Sequence, residues 1–152
     1  MRTSLIFLAP ILLALCAPAA LAVASTQDLS SPVGRWQTLD DKTGKPAGIV
    51  RIYEQNGALY GNIEKIFDPA REPLNCIACA DDRKGKPLIG LNIIRGLKRD
   101  GDVWDGGTVI DPETGSVYKS SARLDDGGRK LVLRGYLGIS LLGRSQTWQR
   151  EP

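Results

Sequence analysis

The sequence predicts an all-β protein, an up-and-down barrel of about eight antiparallel strands with one long loop that contains two cysteines. Three observations lead to this prediction. Short runs with strand-like alternation repeat along residues 33–150, tight-turn sequences such as Asn56-Gly57 separate them, and no helical period is sustained. Sequential strands joined by short turns favour closure into a barrel, because closure leaves no unpaired edge. The alternative architecture is a two-sheet sandwich of the same strands.

The strand boundaries follow from the alternating runs and from the turn residues between them. Asn56-Gly57, Asp100-Gly101 and Asp126-Gly127-Gly128 predict tight connections. The glycine pair after Asp105 predicts a bulge or a sharp bend within a strand. The expected strands are 33–39, 48–55, 58–67, 91–98, 102–110, 116–124, 130–137 and 143–150.

The N-terminal segment is expected to be a secretory signal peptide over residues 1–24, followed by a single barrel domain over residues 25–152. Arg2 precedes a long apolar run, and the run ends in small residues up to Ala24. A retained membrane anchor and a lipoprotein acylated at Cys16 are the alternatives, although the residue before this cysteine is a bulky leucine. The predicted location is therefore the periplasm or the extracellular medium, with no spanning segment in the mature chain.

The charge and the residue content exclude several classes of function. The formal net charge is +3, the charges are interspersed, and no basic cluster indicates a nucleic-acid partner. The chain has no histidine, which is the commonest general base and metal ligand. Most candidate acids fall in turns, where aspartate is frequent for backbone reasons. We therefore expect a non-enzymatic protein with no cofactor and no metal site.

Cys76 and Cys79 stand two residues apart in the long loop. In an oxidising compartment such a pair is expected to form a disulfide, and a ring this small adds roughly 2 kcal/mol in the chain-entropy model. A redox-active pair is an alternative, but Asp81 and Asp82 follow closely and raise a thiol pKa. Metal binding or free thiols are the third interpretation, for which no histidine supplies further ligands.

Alternation along the strands predicts which side chains face the interior. On the fifth strand it places Trp104, Thr108 and Ile110 on one face. In an eight-stranded barrel such residues either fill the core or line one small ligand site. The apolar stretch after the seventh strand is predicted to lie at the barrel rim, where it guards a mouth or folds inward. The candidate lining and rim residues are Ile52, Trp104, Tyr118, Leu133, Ile139, Leu141 and Leu142.

The two ends of the domain resemble the signature of the lipocalin and calycin barrels. Gly34-x-Trp36 opens the first strand, and Arg144 and Trp148 lie on the last. The resemblance implies that the first tryptophan packs across one end of the barrel with a late arginine over its ring. Such a cation–π contact is worth up to about 2 kcal/mol when it is desolvated. Arg150 is the second candidate for this arginine.

Longer segments are similar to the bacterial family known as domain of unknown function 2147. They are GRWQTLDDKTGKPAGIVRIYEQNGALYGNI, CIAC, PLIGLNII, WDGGTVIDPETGSVY and LRGYLGISLLGRSQTW, and together they cover most of residues 34–148. The resemblance implies a small exported protein with a lipocalin-like β-barrel. It leaves the biochemical function open.

Three functions are compatible with these observations. The first is a carrier that binds a small apolar, lipid-like ligand inside the barrel. The second is an envelope module that contacts another protein through its loops and has a filled barrel. The third is a redox role for the Cys-x-x-Cys pair. The volume and the lining of the interior distinguish the first two.

Overall fold

A computed structural model describes residues 27–72, 74–138 and 143–152, and it shows a closed antiparallel barrel in which the eight strands follow one another in chain order. The predicted barrel is confirmed, and the sandwich is wrong because Trp36 and Gln37 of the first strand pair with Arg150 and Gln149 of the last. The strands are β1 (Gly34–Leu39), β2 (Pro46–Gln55), β3 (Ala58–Ile66), β4 (Asn92–Asp100), β5 (Val103–Ile110), β6 (Val117–Asp125), β7 (Lys130–Tyr136) and β8 (Gly143–Arg150).

Several sequence predictions concern residues beyond those that the structure describes. The expected signal peptide with Cys16 lies outside them. So do Ile139, Leu141 and Leu142, the predicted rim residues.

The tight turns form where the sequence predicts them. Asn56 and Gly57 connect β2 to β3, and both have positive φ angles, 53° and 74°. A two-residue turn of this kind matches the right-handed twist of its flanking strands. The connection from β6 to β7 is a single 3₁₀ turn at Asp126–Gly128, and the Asp125 carboxylate accepts a hydrogen bond from the Asp126 N–H.

Up-and-down topology gives the barrel two different ends. The end that we call the closed end carries the short connections after β2, β4 and β6, together with the segment 27–33. The end that we call the open end carries the connections after β1, β3, β5 and β7. The long connection between β3 and β4, which contains Cys76 and Cys79, belongs to the open end.

Trp36 packs across the closed end and is fully buried. Its indole Nε1 donates a hydrogen bond of 2.8 Å to the Pro32 carbonyl. The guanidinium carbon of Arg150 lies 4.3 Å from the centroid of the Trp36 rings, so the cation covers the ring face. The guanidinium also donates to three carbonyl oxygens, those of Gly128 (2.7 Å), Ser31 (2.7 Å) and Val33 (3.1 Å).

Arg144, the first candidate for the cation over Trp36, lies at the open end instead. Its side chain is 67% exposed and forms an ion pair of 2.8 Å with Asp41. The correction follows from strand direction. Because β8 runs antiparallel to β1, the end of β8 lies beside the start of β1, and Arg150 is therefore the arginine that reaches Trp36.

The core fills the half of the barrel nearer the closed end. Large apolar side chains from all parts of the chain meet there and pack without solvent contact, as expected for inward positions on alternating strands. The most deeply buried of them are Trp36, Ile52, Leu59, Ile94, Leu97 and Leu131.

Candidate functional site

The half of the barrel nearer the open end contains a cavity of about 740 Å³. Its volume lies within the range of small-molecule sites, roughly 300–1,000 Å³. The cavity reaches solvent between the connections of the open end. The barrel is therefore packed at one end and hollow at the other.

Apolar side chains form the wall and the floor of the cavity. They come from the seven strands β2 to β8 and from the long connection, so that no single segment of the sequence makes the site. A wall of this composition favours the burial of apolar ligand surface at about 25 cal/mol per Å². The principal apolar lining residues are Val50, Ile63, Ile66, Leu88, Ile93, Val109, Ile110, Tyr118, Leu133 and Trp148.

Charged side chains form the mouth of the cavity, and the two signs balance. The acids are Asp40, Asp41, Asp111 and Glu113, and the bases are Lys42, Lys65, Arg71 and Arg144. The site thus combines an apolar interior with a polar entrance, and an apolar lining with a few polar groups is the usual composition of small-molecule pockets.

The predicted lining residues divide between the cavity and the packed core. Tyr118 and Leu133 line the cavity, and Trp148, expected at the barrel end, lines it too. Ile52 and Trp104 do not line it: both are buried in the packed core, where their strands approach the closed end. Of the charged residues at the mouth, only Arg144 was among the predicted site residues, because the others lie in connections or at a strand end and meet only when the barrel closes.

The long connection between β3 and β4 folds into a small hairpin rather than an open loop. Asn75 and Pro87 form an isolated antiparallel bridge. The Cys76 N–H donates to the Lys86 carbonyl at 2.8 Å, and the Gly85 N–H donates to the Cys76 carbonyl at 2.9 Å. These bonds give the hairpin an ordered backbone of its own.

Cys76 and Cys79 lie at disulfide distance, with 5.4 Å between their Cα atoms, and both side chains are buried. The Cys76 sulfur is 3.5 Å from the carbonyl oxygen of Pro112, in the turn after β5. A Cβ atom at Gly115 would overlap the carbonyl of Ala78, so only glycine permits this approach. The disulfide hairpin is therefore packed closely onto the β5–β6 turn, beside the mouth.

Two arginines, Arg83 and Arg95, hold the hairpin to β4. Arg83 is 2% exposed. Its guanidinium donates hydrogen bonds to both carboxylate oxygens of Asp81 and, at 3.1 Å, to the Asn92 carbonyl. The hydrogen bond from Arg83 lowers the pKa of Asp81. On the surface, Arg95 donates to both oxygens of Asp82 at 2.7 and 3.0 Å, which lowers the pKa of Asp82.

Among the residues that the structure describes, no three or more His, Cys, Asp or Glu side chains cluster as metal ligands. Tyr136 lies at the mouth, but its hydroxyl is 3.3 Å from Asp105, and burial, with a further contribution from that carboxylate, raises the pKa of the phenol. No helix in the described ranges has the length and hydropathy needed to cross a membrane.

A sequence model of the family described as "Uncharacterized protein conserved in bacteria (DUF2147)" matches residues 34–150. The chain belongs to this family. This DUF2147 barrel is similar to a solved structure from Helicobacter pylori, described as "Protein HP1028 from the human pathogen Helicobacter pylori belongs to the lipocalin family". The two share 18% sequence identity over 84% of this chain and 85% of that chain, with a TM-score of 0.70.

At this level of identity the likeness shows the fold alone, and the DUF2147 barrel is thus lipocalin-like. The expected family and fold are both confirmed. A comparison of the DUF2147 sequence with curated proteins gives no match.

Proposed function

We propose that this protein is exported and that its barrel binds a small apolar, lipid-like ligand without catalysing a reaction. The observation that carries the proposal is the cavity of about 740 Å³, apolar inside and open at one end. A filled barrel that acts only through its loops has no need of such a space, so the cavity favours the carrier over the interaction module. The lipocalin-like fold supports the same choice, since small-ligand binding is a use to which such barrels are well suited.

The position of the cysteines supports a structural disulfide rather than a redox role. Exchange requires an attacking thiolate to reach one of the two sulfur atoms. Cys76 and Cys79 are 0% and 1% exposed, and the β5–β6 turn packs against the hairpin that carries them. We infer that the disulfide maintains the shape of the mouth.

Filling the cavity tests the proposal. In Val109→Trp the indole enters the cavity, where there is room for it, and we expect the affinity for a fluorescent fatty acid to fall at least tenfold. Val109 lines the cavity from β5 and lies beside Gly135. Fluorescence titration measures the affinity, and native mass spectrometry of gently purified protein shows whether a ligand is already bound.

Val132→Trp is the matched control, because Val132 lies in β7 between two inward leucines and therefore faces outward. This variant should bind as the wild type does. Two results contradict the proposal: a wild-type protein that takes up no apolar probe, and a Val109→Trp variant with unchanged affinity.

Export gives a second measurable expectation. Cleavage after Ala24 makes Ser25 the first residue of the mature protein. Mass spectrometry of the protein from an envelope fraction should show this N-terminus. A mass that includes an acylated Cys16 favours the lipoprotein alternative, and an uncleaved chain in the cytoplasm contradicts export.

A further inference from the structure

The mouth of the cavity contains two ion pairs that tie neighbouring connections together. Asp41, after β1, binds Arg144 at the start of β8 with an N–O distance of 2.8 Å. Glu113, after β5, binds Arg71 of the long connection at 2.6 Å. These pairs occupy two acids and two bases of the mouth.

The carboxylates of the other two acids of the mouth accept hydrogen bonds from residues of their own turns. The Asp40 carboxylate accepts hydrogen bonds from the Lys42 N–H at 3.0 Å, the Thr43 N–H at 2.7 Å and the Thr43 hydroxyl at 2.8 Å. The Thr43 hydrogen bonds are the main reason why the pKa of Asp40 is lowered. The Asp111 carboxylate accepts from the Glu113 N–H at 2.8 Å. All four acids at the mouth thus have donors already.

The two remaining bases, Lys42 and Lys65, form no ion pair with any residue in the described ranges. The ammonium of Lys65 lies 5.5 Å from the centroid of the Phe67 ring, and the charge of Lys42 contributes only the smallest part of the lowering of the pKa of Asp40. Both residues contribute to the lining of the mouth. The two acids without an ion pair, Asp40 and Asp111, accept hydrogen bonds inside their own turns, whereas the two ammonium groups have no anionic partner among the described residues.

We propose that the ligand is a single-chain amphiphile with an anionic head group, whose chain fills the apolar cavity while Lys42 and Lys65 hold the head at the mouth. This inference rests on the proposed function and narrows it. The chain supplies the affinity, since each buried methylene adds to it. The two ammonium groups supply selectivity among head groups.

The expected selectivity is modest, because both lysines are exposed and water screens their charges. We expect about a tenfold preference for an anionic over a neutral head of equal chain length, decreasing as the salt concentration rises. A neutral chain should bind equally well at low and at high salt.

The experiment measures the affinity of the mature protein for four probes with the same chain: dodecanoate, dodecyl phosphate, dodecanol and dodecyltrimethylammonium. The wild type should bind the two anions about tenfold more tightly than the alcohol, and the cation most weakly. The tighter of the two anions then indicates whether the head is a carboxylate or a phosphate. In Lys42→Met/Lys65→Met the preference should disappear, while the affinity for dodecanol stays at the wild-type value.

The double variant Lys45→Met/Lys84→Met is the control, since it removes two exposed lysines of the open-end connections that do not line the cavity. Its selectivity should equal that of the wild type. Equal binding of alcohol and anions by the wild type, tightest binding of the cation, or an equal loss in the control overturns the head-group inference. Failure of all four probes to bind overturns the proposed function itself.

Discussion

Replacing Arg150 with methionine is expected to lower the free energy of unfolding by about 3–4 kcal/mol. The guanidinium donates to three carbonyl oxygens at the closed end and covers the face of Trp36. A hydrogen bond that involves a charged group contributes about 1.5–3 kcal/mol, and a desolvated cation–π contact contributes about 2 kcal/mol. The expected loss is smaller than the sum of these contributions, because water can hydrate the carbonyl groups that lose their donors. Denaturant unfolding of the purified protein measures the change.

Arg144→Met is the control for this prediction. Arg144 lies on the same strand, and its exposed pair with Asp41 is of a kind worth about 0–1 kcal/mol. If both substitutions lower the free energy of unfolding equally, the stabilising role of Arg150 at the closed end is contradicted. Ligand affinity should change little in Arg150→Met at temperatures at which the variant is folded, since the cavity lies in the other half of the barrel.

The strands and their order were predictable because the signals for them are local. Turn residues such as Asn56-Gly57 fix a hairpin wherever they occur between alternating runs. Strand direction was predictable as well, and the choice of Arg144 over Arg150 did not use it. An even number of antiparallel strands brings the start of the first beside the end of the last, which favours Arg150.

The inward face of β5 was predicted wrongly at Thr108. The register shifts between Trp104 and Gly107, where Gly106 has a φ angle of 73°. One extra residue in a strand moves the side chains that follow it to the opposite face. Val109 lines the cavity and Thr108 does not, whereas Ile110, at the end of the strand, lines it as predicted. The glycines indicated a bulge, but its exact residue count depends on pairing with β4 and β6, which a local pattern does not contain.

The mouth could not be predicted from the sequence for a similar reason. Its charged residues come from separate connections and strand ends and meet only because the barrel closes. Arg83 is the clearest case, since it stands among polar residues in what reads as a surface loop, yet it is almost completely buried. Only the packing of the disulfide hairpin against β4 explains its burial.

Replacing Arg83 with methionine is expected to destabilise the protein by about 2–3 kcal/mol. The substitution leaves Asp81 without its partner and the Asn92 carbonyl without its donor. Removal of one partner from a buried ion pair costs about 3–5 kcal/mol, and the partial exposure of Asp81 reduces this figure. Hydrogen exchange should also become faster in residues 74–91, since the hairpin loses one of its two arginine attachments to β4. Lys84→Met, at the exposed neighbouring position, should match the wild type in both measurements.

The pH dependence provides an independent check of the Arg83 contact. Because the folded-state pKa of Asp81 is lowered from its ordinary value of 3.8, the contact stabilises the protein above that value and loses its contribution as the pH falls further. The difference in unfolding free energy between wild type and Arg83→Met should therefore be constant near neutral pH and decrease in acid. A difference that persists unchanged to the lowest pH at which both proteins fold points to lost packing of the arginine stem instead of the ion pair. In that case the hairpin is held to the barrel by the β5–β6 turn and by the Arg95–Asp82 pair, and ligand affinity in Arg83→Met should equal that of the wild type.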